Sequence, residues 1–290
     1  MTTIMLNDRI PEKTAVALGL FDGVHCGHRL IMKHTCNYGY VPAVFTFRTE
    51  SVKVKHGRPF EYIYTTRQKL HFLEKNGIEY VLSPDFDEVR NMTGEQFAKD
   101  IIIGCMNAGA VVCGDNFRFG RDASCGVEEL KFFGEKYGFS VDVVQLREND
   151  FSSEKFRAML KNGELCKESP YVLYGEVVHG KQIGRTINFP TINQQYSDGQ
   201  LVLKYGVYFT RTNIDGTVYN SITNVGIKPT IAGERSPLAE THILDFSGDL
   251  YGRNIEVEFC KFIRSEMKFP SVNELKRQIS EDIAAVRSFT

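Results

Sequence analysis

Residues 15–28 read AVALGLFDGVHCGH, and this stretch predicts how the first half of the chain folds. The apolar run Ala15–Leu20 ends in a Phe-Asp-Gly turn, and helical spacing begins directly afterwards. Apolar runs of this length are typical of strands buried on both faces of a parallel sheet. Four more such runs alternate with helical stretches: Ala43–Phe47, Tyr80–Leu82, Ala110–Cys113 and Val141–Val144. The alternation predicts an α/β domain with a doubly wound parallel sheet and helices on both faces.

Helices are predicted between these strands. The segment His28–Tyr38 follows the first apolar run, and Arg67–Asn76 has helical spacing that stops at Gly77. Thr93 with Gln96 three residues later forms a capping-box pattern, so a further helix is expected to begin there.

The turn after the first strand, Gly19–His28, is the predicted ligand site of this domain, because doubly wound sheets bind ligands beyond the carboxyl ends of their strands. It carries His25 and His28 where the strand gives way to a helix. Helix N-termini attract phosphate, and imidazoles there can donate hydrogen bonds to a triphosphate. Two other interpretations stay open: histidines with a surface or core role, and a zinc site that includes Cys26.

A different pattern begins after Glu164–Pro170, a charged segment without periodicity that we interpret as the interdomain linker. The domains are therefore predicted at residues 1–165 and 166–290. Short strand-like stretches with turn signals between them predict a compact antiparallel β-barrel. They are Tyr171–His179, Gly206–Thr212, Thr217–Val225, Glu240–Phe246 and Asn254–Ile263. Asp215-Gly216 marks a hairpin.

The chain ends in a predicted helix from Ser271 to about Phe289. Its apolar residues recur at helical spacing and form a stripe that should pack on the barrel. They are Val272, Leu275, Ile279, Ile283 and Val286.

Residues 179–193, HGKQIGRTINFPTIN, carry the densest functional pattern of the second half. Glycines let the backbone approach a bulky anion, and Lys181 and Arg185 add positive charge. Thr191 and Asn193 present neutral oxygens at alternate positions, on one face of an extended segment, which suits Mg²⁺. A phosphate cradle next to a magnesium holder fits nucleotide phosphoryl transfer. An ordinary hairpin turn with polar side chains is the alternative.

Glu240 begins one of the strand-like stretches. A carboxylate at the start of a strand is ordinarily exposed to solvent. If Glu240 faces the loop of residues 179–193, it could act as general base on a substrate hydroxyl.

Composition argues against several classes of partner. The formal net charge is −1, from 35 Lys plus Arg against 36 Asp plus Glu, which gives no electrostatic reason to propose nucleic acid or an anionic membrane. Seven cysteines without a C-x-x-C pair favour a reducing compartment, and no signal peptide pattern is visible, so we expect a cytoplasmic protein. The oligomeric state is left open.

Several stretches, in order, resemble the motifs of the prokaryotic bifunctional riboflavin kinase/FAD synthetase family and together cover nearly the whole chain. They are GLFDGVHCGH (19–28), CGDNFRFG (113–120), FSSEKFR (151–157), HGKQIGRTINFPTIN (179–193), NVGIKPT (224–230) and ETH (240–242). The resemblance implies a Rossmann-like nucleotidyltransferase domain followed by a riboflavin kinase β-barrel with a C-terminal helix. It implies a transferase that phosphorylates riboflavin to FMN with ATP and Mg²⁺, and adenylylates FMN to FAD with release of pyrophosphate.

For the kinase, the resemblance implies a base, Glu240, and a magnesium pair, Thr191 and Asn193. The ATP phosphates would be bound by Gly180, Lys181, Gly184 and Arg185. Arg264 and Phe269 would contact the flavin. The alternative for these two residues is that they hold the terminal helix in place on the barrel.

For the adenylyltransferase, the resemblance implies that His25 and His28 stabilise the transition state. The residues that bind ATP would be Gly19, Phe21, Gly23, Ser153 and Arg157. The flavin-side residues would be Asn116 and Arg118, and a polar turn with Phe117 and Phe119 packed inward is compatible with this.

Two departures from the family's pattern fall in the first half. The family's T-F-x-P-H-P reads TFRTES at residues 46–51, and Glu154 replaces the threonine of S-S-T, which brings a carboxylate where phosphates should approach. They motivate two alternatives: a monofunctional riboflavin kinase with a weak or inactive adenylyltransferase domain, and a flavin-binding regulator without catalysis.

Overall fold

The chain forms two compact units, Met1–Ser153 and Glu154–Thr290. The structure is a computed structural model that describes residues 1–55, 58–146, 152–180, 189–229 and 235–289. The domain boundary expected between residues 165 and 166 stays a prediction.

The first unit contains a six-stranded sheet with the order β1-β6-β3-β2-β7-β8, and every neighbouring pair is parallel. Its strands are β1 (Thr2–Ile4), β2 (Thr14–Leu18), β3 (Val41–Phe45), β6 (Tyr80–Leu82), β7 (Ala108–Gly114) and β8 (Ser140–Val144). A separate small hairpin pairs β4 (Val54–Lys55) with β5 (Arg58–Pro59). From β2 the chain runs outward to β3 on one side and later returns to β7 on the other, so the strand order switches between β2 and β7. This confirms the predicted doubly wound sheet.

Helices connect these strands. They are α1 (Cys26–Cys36), α2 (Thr66–Lys75), α3 (Phe86–Val89), α4 (Gly94–Gln96), which continues as a π-helix over Phe97–Cys105, and α5 (Val127–Tyr137). Thr93 caps α4, accepting a 3.2 Å hydrogen bond from the Gln96 N–H, while the Gln96 side chain accepts from the Thr93 N–H. The predicted capping box is therefore confirmed. The edge strand β1 and helix α5 were not predicted.

Helix α6 (Ser153–Asn162) begins at the end of the first unit, and α7 (Val272–Arg287) lies near the end of the chain. Gly163 ends α6 at a φ of 77°, and the Glu164 N–H donates to the Met159 carbonyl. This is a left-handed glycine stop, in which Gly163 lets the chain turn away after the last helical residue.

The second unit contains a six-stranded antiparallel sheet with the order β10-β13-β12-β11-β14-β9. Its strands are β9 (Tyr171–Glu176), β10 (Ile192–Gln195), β11 (Gly206–Ile214), β12 (Thr217–Pro229), β13 (Arg235–Ile243) and β14 (Asn254–Arg264). The two ends of the sheet meet where the Val178 N–H donates to the Asn193 carbonyl at 2.8 Å. The sheet therefore curls into the nearly closed barrel that the turn pattern predicted.

A chain of hydroxyl groups crosses the buried face of this barrel. Successive oxygens lie 2.8–2.9 Å apart in the order Thr212, Ser221, Thr210, Thr223, Thr241, and all five side chains are buried. The sequence did not predict this chain of buried hydroxyl groups. Small polar residues do alternate along these strands, but the alternation alone does not say which face of the sheet is buried.

Helix α7 packs on the opposite face of the barrel through its second half. Val286 is buried against Val207 and Ile222, and Ile283 packs beside it. Asp282 is also buried and pairs with Arg264 at 2.8 Å. Val272 is 56% exposed, so the expected stripe was wrong at its first position.

Among the described residues, no helix combines the length and the apolar character needed to cross a membrane.

Candidate active sites

The first site lies at the switch point of the parallel sheet. The loop Gly19–His28 leaves the carboxyl end of β2, and the next strand, β7, ends at the same edge and leads into residues 115–120. Helix α1 starts directly after His25, without a side-chain cap from that residue and with no acidic residue in its first turn. Its first N–H groups and the helix dipole therefore favour an anion at this point.

The two histidines of the loop contact each other. The rings of His25 and His28 stack with centroids 3.7 Å apart, and the edge of Phe21 meets His28 at 5.2 Å. The Ser153 hydroxyl donates to the Asp22 carbonyl at 3.0 Å and lies 3.4 Å from His25 Nε2. Because that hydroxyl has only one proton, the His25 contact requires Nε2–H to be the donor. The structure thus brings together three residues that lie on two distant motifs.

The loop backbone is strained. Phe21, Gly23 and Val24 have φ values of 51°, 85° and 40°, in the left-handed region that bulky and β-branched side chains avoid. The Phe21 ring is buried and lies over Gly19, where an added Cβ would come within 3.1 Å of it. Gly19 and Phe21 therefore shape the loop by packing on each other.

The loop after β7 has mixed character. Asn116 is exposed, while Phe119 is buried and Phe117 packs on the same core. The Arg118 guanidinium lies over Gly126 at the N-terminus of α5, close enough that a Cβ on that glycine would sit 2.7 Å from it. Nearby, the Gly126 N–H donates to the Glu129 carboxylate at 2.7 Å and lowers its pKa, with a smaller contribution from Arg118. The inward-packing alternative for the phenylalanines is confirmed.

The segment that departs from the family's T-F-x-P-H-P pattern folds into a 3₁₀ turn, Thr49–Ser51, against the start of α2. The Glu50 carboxylate accepts hydrogen bonds from the N–H (2.8 Å) and the hydroxyl of Thr66. The Phe86 N–H donates to the Ser51 hydroxyl at 2.9 Å. The segment that departs from the family's pattern is therefore an ordered turn, in which the Glu50 carboxylate accepts a hydrogen bond from a free N–H group at the N-terminus of α2.

The second site lies on the barrel face that also carries α7. Glu240 pairs in register with Asn193 on one side and with Asn224 on the other. Residues directly opposite each other in an antiparallel sheet point to the same face. The row continues through Val207 to Arg264. The sequence interpretation that Glu240 starts a strand was wrong, because Arg235–Ala239 extend the strand before it; Glu240 lies inside β13 with a neighbour on each side.

Asn193 is 4% exposed, and its Oδ1 atom has no hydrogen-bond partner among the described residues. Gly180 lies directly over this side chain, where an added Cβ would overlap its amide and lie 3.0 Å from Cγ. Gly180 is therefore needed for close approach to Asn193. An orphaned, buried amide oxygen is costly unless a ligand such as a hard cation uses it.

Two aromatic contacts hold the segments around Asn193. The ring of His179 stacks on Tyr251 at 3.8 Å. His242 donates from Nδ1 to the Pro190 carbonyl at 2.8 Å, because a carbonyl can only accept, and Phe189 meets the His242 ring edge-on at 5.6 Å. His242 thereby fixes the backbone just before Thr191.

Arg264 makes a two-pronged ion pair with Asp282 of α7, from Nε at 3.1 and 3.2 Å and from its terminal nitrogen at 2.8 Å. Its guanidinium also lies 5.8 Å from the Phe269 ring centre. These contacts support the alternative that Arg264 seats the terminal helix.

Comparison with protein families assigns each half. A family model described as FAD synthetase matches residues 7–155, and one described as riboflavin kinase matches residues 167–290. Proteins named bifunctional riboflavin kinase/FMN adenylyltransferase match nearly full length. That of Haemophilus influenzae is 31% identical and covers 97% of this chain and 96% of its own. Those of Bacillus subtilis and Escherichia coli K12 are each 33% identical and cover 96% of this chain and 93% of their own.

The chain belongs to the bifunctional riboflavin kinase/FMN adenylyltransferase family. It is a transferase with an adenylyltransferase domain followed by a kinase domain. A crystal structure described as a macrolide-efflux protein from Streptococcus pneumoniae has 27% identity and a TM-score of 0.83 over the whole of both chains. That description applies to the other protein, and the likeness shows a shared architecture.

The geometry groups some of the residues predicted for this family's two reactions. His25, His28 and Ser153 lie together, as do Gly180, Asn193 and Glu240. Arg157 lies one helical turn after Ser153 on α6, and Glu154 is exposed in the first turn of that helix. Lys181, Gly184 and Arg185 lie outside the described residues.

Sequence reasoning missed residues that support these sites. Asn224 beside Glu240 was only part of a quoted motif, and Asp22 was only part of a turn. Asp22 is buried and accepts hydrogen bonds from the N–H groups of Ile63 (2.8 Å) and Tyr64 (3.2 Å). The position of Asp22 between apolar residues was the sequence signal that could have indicated such a buried, hydrogen-bonded carboxylate. The sequence around Asn224 carries no such signal, because its place beside Glu240 depends on strand pairing.

Proposed function

We propose that the barrel carries out riboflavin phosphorylation with Glu240 as general base and with Thr191 and Asn193 as magnesium ligands. The observation that carries this assignment is the buried Asn193 oxygen, which has no partner in the part of the chain that the structure describes and lies in register with Glu240. In this reaction the ribityl 5′-oxygen of riboflavin bonds to the γ-phosphorus of ATP, the bond to ADP breaks, and the proton passes to the Glu240 carboxylate.

The donor set around Asn193 fits Mg²⁺, since the Asn193 Oδ1 and the Thr191 hydroxyl are both neutral oxygen ligands. When bound with ATP, Mg²⁺ would neutralise charge on the transferred phosphoryl group. Gly180 leaves room for the Asn193 side chain, and His242 holds the Pro190 carbonyl. These residues fix the ligand positions before the substrate arrives.

For FMN adenylylation we propose that His25 and His28 act on the triphosphate of a second ATP. The FMN phosphate oxygen bonds to the α-phosphorus, and the bond to pyrophosphate breaks. Imidazole N–H groups at the N-terminus of α1 would stabilise the charge that develops on the phosphates. The stacked histidines at the switch point of the sheet support this assignment. Ser153 and Asn116 would contribute substrate contacts, while the role of Arg157 stays the expectation drawn from the sequence.

The alternative of a weak adenylyltransferase rests on Glu154 and the TFRTES segment. The ordered turn at Thr49–Ser51 and the exposed position of Glu154 favour an active domain. A cytoplasmic location remains part of the proposal.

The test is chromatographic separation of flavins after the purified protein is incubated with riboflavin, ATP and Mg²⁺. FMN followed by FAD is the expected result. FMN without FAD, even when FMN is supplied, would support the monofunctional alternative. Flavin binding without any product would support the regulator.

A further inference from the structure

Lys69 is a fully buried lysine in the adenylyltransferase unit. Its side chain, on the first turn of α2, has no exposed surface. Lysine is almost never fully buried without partners, because removing an ammonium group from water is costly. Such a residue requires a specific reason.

The amine of Lys69 faces three hydrogen-bond acceptors. Nζ lies 2.6 Å from the Phe47 carbonyl, 3.1 Å from the Thr46 hydroxyl and 3.3 Å from the Leu20 carbonyl. The Thr46 hydroxyl donates its own proton to the Leu20 carbonyl at 2.9 Å, so it can only accept from Lys69. Three acceptors match the three N–H groups of an ammonium, whereas a neutral amine has only two.

These acceptors belong to two different loops at the carboxyl edge of the sheet. Leu20 lies in the loop Gly19–His28, which carries both histidines, and Thr46 and Phe47 follow β3. The histidine loop is the one with left-handed φ values at Phe21 and Val24. Strained backbone persists only where surrounding contacts hold it. Lys69 provides such contacts from a helix outside the loop.

Two carboxylates interact electrostatically with this lysine, Asp22 in the histidine loop and Glu50 in the turn after β3. Burial lowers the pKa of Lys69 to about 8, while both carboxylates raise it. The ammonium form is therefore retained at neutral pH and is lost above about pH 8.

We propose that Lys69 is a positioning residue for FMN adenylylation, whose ammonium group clamps the histidine loop to the loop after β3 and so places His25 and His28. This rests on the proposed role of those histidines. Lys69 touches neither substrate nor the reacting atoms in this account; it acts through the loop.

The test compares Lys69→Met, which keeps length and apolar volume but removes the N–H donors, with Lys75→Met, an exposed lysine on the same helix. FMN adenylylation is expected to fall at least tenfold in kcat in Lys69→Met. Riboflavin phosphorylation, catalysed by the other unit, should stay within twofold. Both rates should be unchanged in Lys75→Met. Thr46→Val is a second variant, since it removes one acceptor, and it should show a smaller loss in the same direction.

Hydrogen–deuterium exchange gives a readout that does not depend on activity. Amides of residues 19–28 should exchange about tenfold faster in Lys69→Met, with no change in β7. Unchanged exchange of that loop in Lys69→Met would overturn the proposed role of Lys69, whether or not the protein makes FAD. Absence of FAD formation by the wild type would instead contradict the proposed adenylylation. Faster exchange throughout the unit would also overturn the proposed role of Lys69, because it would show a purely structural role. The pH profile of kcat should fall above about pH 8 in the wild type and be flatter in Lys69→Met.

Discussion

Asn193 and Gly180 depend on each other at the kinase site. The amide of Asn193 is buried, and Gly180 leaves the space that it occupies. Gly180→Ala would push the Asn193 side chain away, so we expect riboflavin phosphorylation to fall at least tenfold while FMN adenylylation is unchanged. The matched control is Gly175→Ala, since a Cβ there makes only ordinary contact, at 3.7 Å from Gln194. Equal effects of the two alanines would contradict the account.

His242 offers a second test on single atoms. Its Nδ1–H donates to the Pro190 carbonyl, and an asparagine side chain can present an N–H at a similar distance from the backbone. We expect His242→Asn to keep kinase activity within about threefold, whereas His242→Phe, which keeps the ring but not the donor, should raise the Mg²⁺ concentration needed for half-maximal rate. The measurement is a magnesium titration of FMN formation. A normal titration for His242→Phe would exclude this positioning role.

The strands of the barrel are joined through the buried hydroxyl chain as well as through their backbones. Thr223 is the fourth of its five members and bonds to Thr210 and Thr241 at 2.8 Å. Thr223→Val keeps the shape but removes both hydrogen bonds, and an unsatisfied buried group costs about 1–3 kcal/mol. We expect a loss of that size in the free energy of unfolding, measured by urea denaturation. Thr217→Val, exposed on the same strand, should change it by less than about 0.5 kcal/mol.

The sequence predicted the helices and strands better than it predicted which face of each strand is buried and which residues pair across strands. All five apolar runs of the first half became strands of the parallel sheet, because such runs leave little choice of structure. Strand β10 and the position of Glu240 inside β13 could not be predicted, since register depends on residues from distant parts of the chain. For the same reason, the neighbours of Glu240, Asn193 and Asn224, emerged only from the pairing of three strands.

Lys69 illustrates what sequence alone could not give. In the sequence it reads as a polar residue of an amphipathic helix, and only the fold shows that it is buried with three acceptors from two loops. The family resemblance supplied the chemistry of both sites, whereas the residues that hold those sites in place became visible in the structure.

The charge of Lys69 should also appear in the stability of the whole molecule. Its pKa is about 8 when folded and 10.5 otherwise, so between these values the unfolded chain binds more protons and stability rises with pH. Below pH 8 Lys69 is protonated in both the folded and the unfolded chain, so the free-energy cost of burying its ammonium group is fully present. This lowering of the Lys69 pKa corresponds to a free-energy cost of about 3 kcal/mol in the folded state. The free energy of unfolding of the wild type minus that of Lys69→Met should therefore rise by about 2–3 kcal/mol from pH 7 to pH 10, measured by urea denaturation. A pH-independent difference would show that the lysine is not buried as described.

The two proposed reactions use separate residue sets, one around His25 and His28 and the other around Asn193 and Glu240. The most direct measurement is flavin chromatography of two variants, Glu240→Gln and His28→Ala, each supplied in turn with riboflavin and with FMN in the presence of ATP and Mg²⁺. Glu240→Gln should convert FMN to FAD at the wild-type rate but form no FMN from riboflavin. His28→Ala should form FMN normally and accumulate it without FAD. Loss of both reactions in either folded variant, or FMN formation by Glu240→Gln at the wild-type rate, would contradict the account.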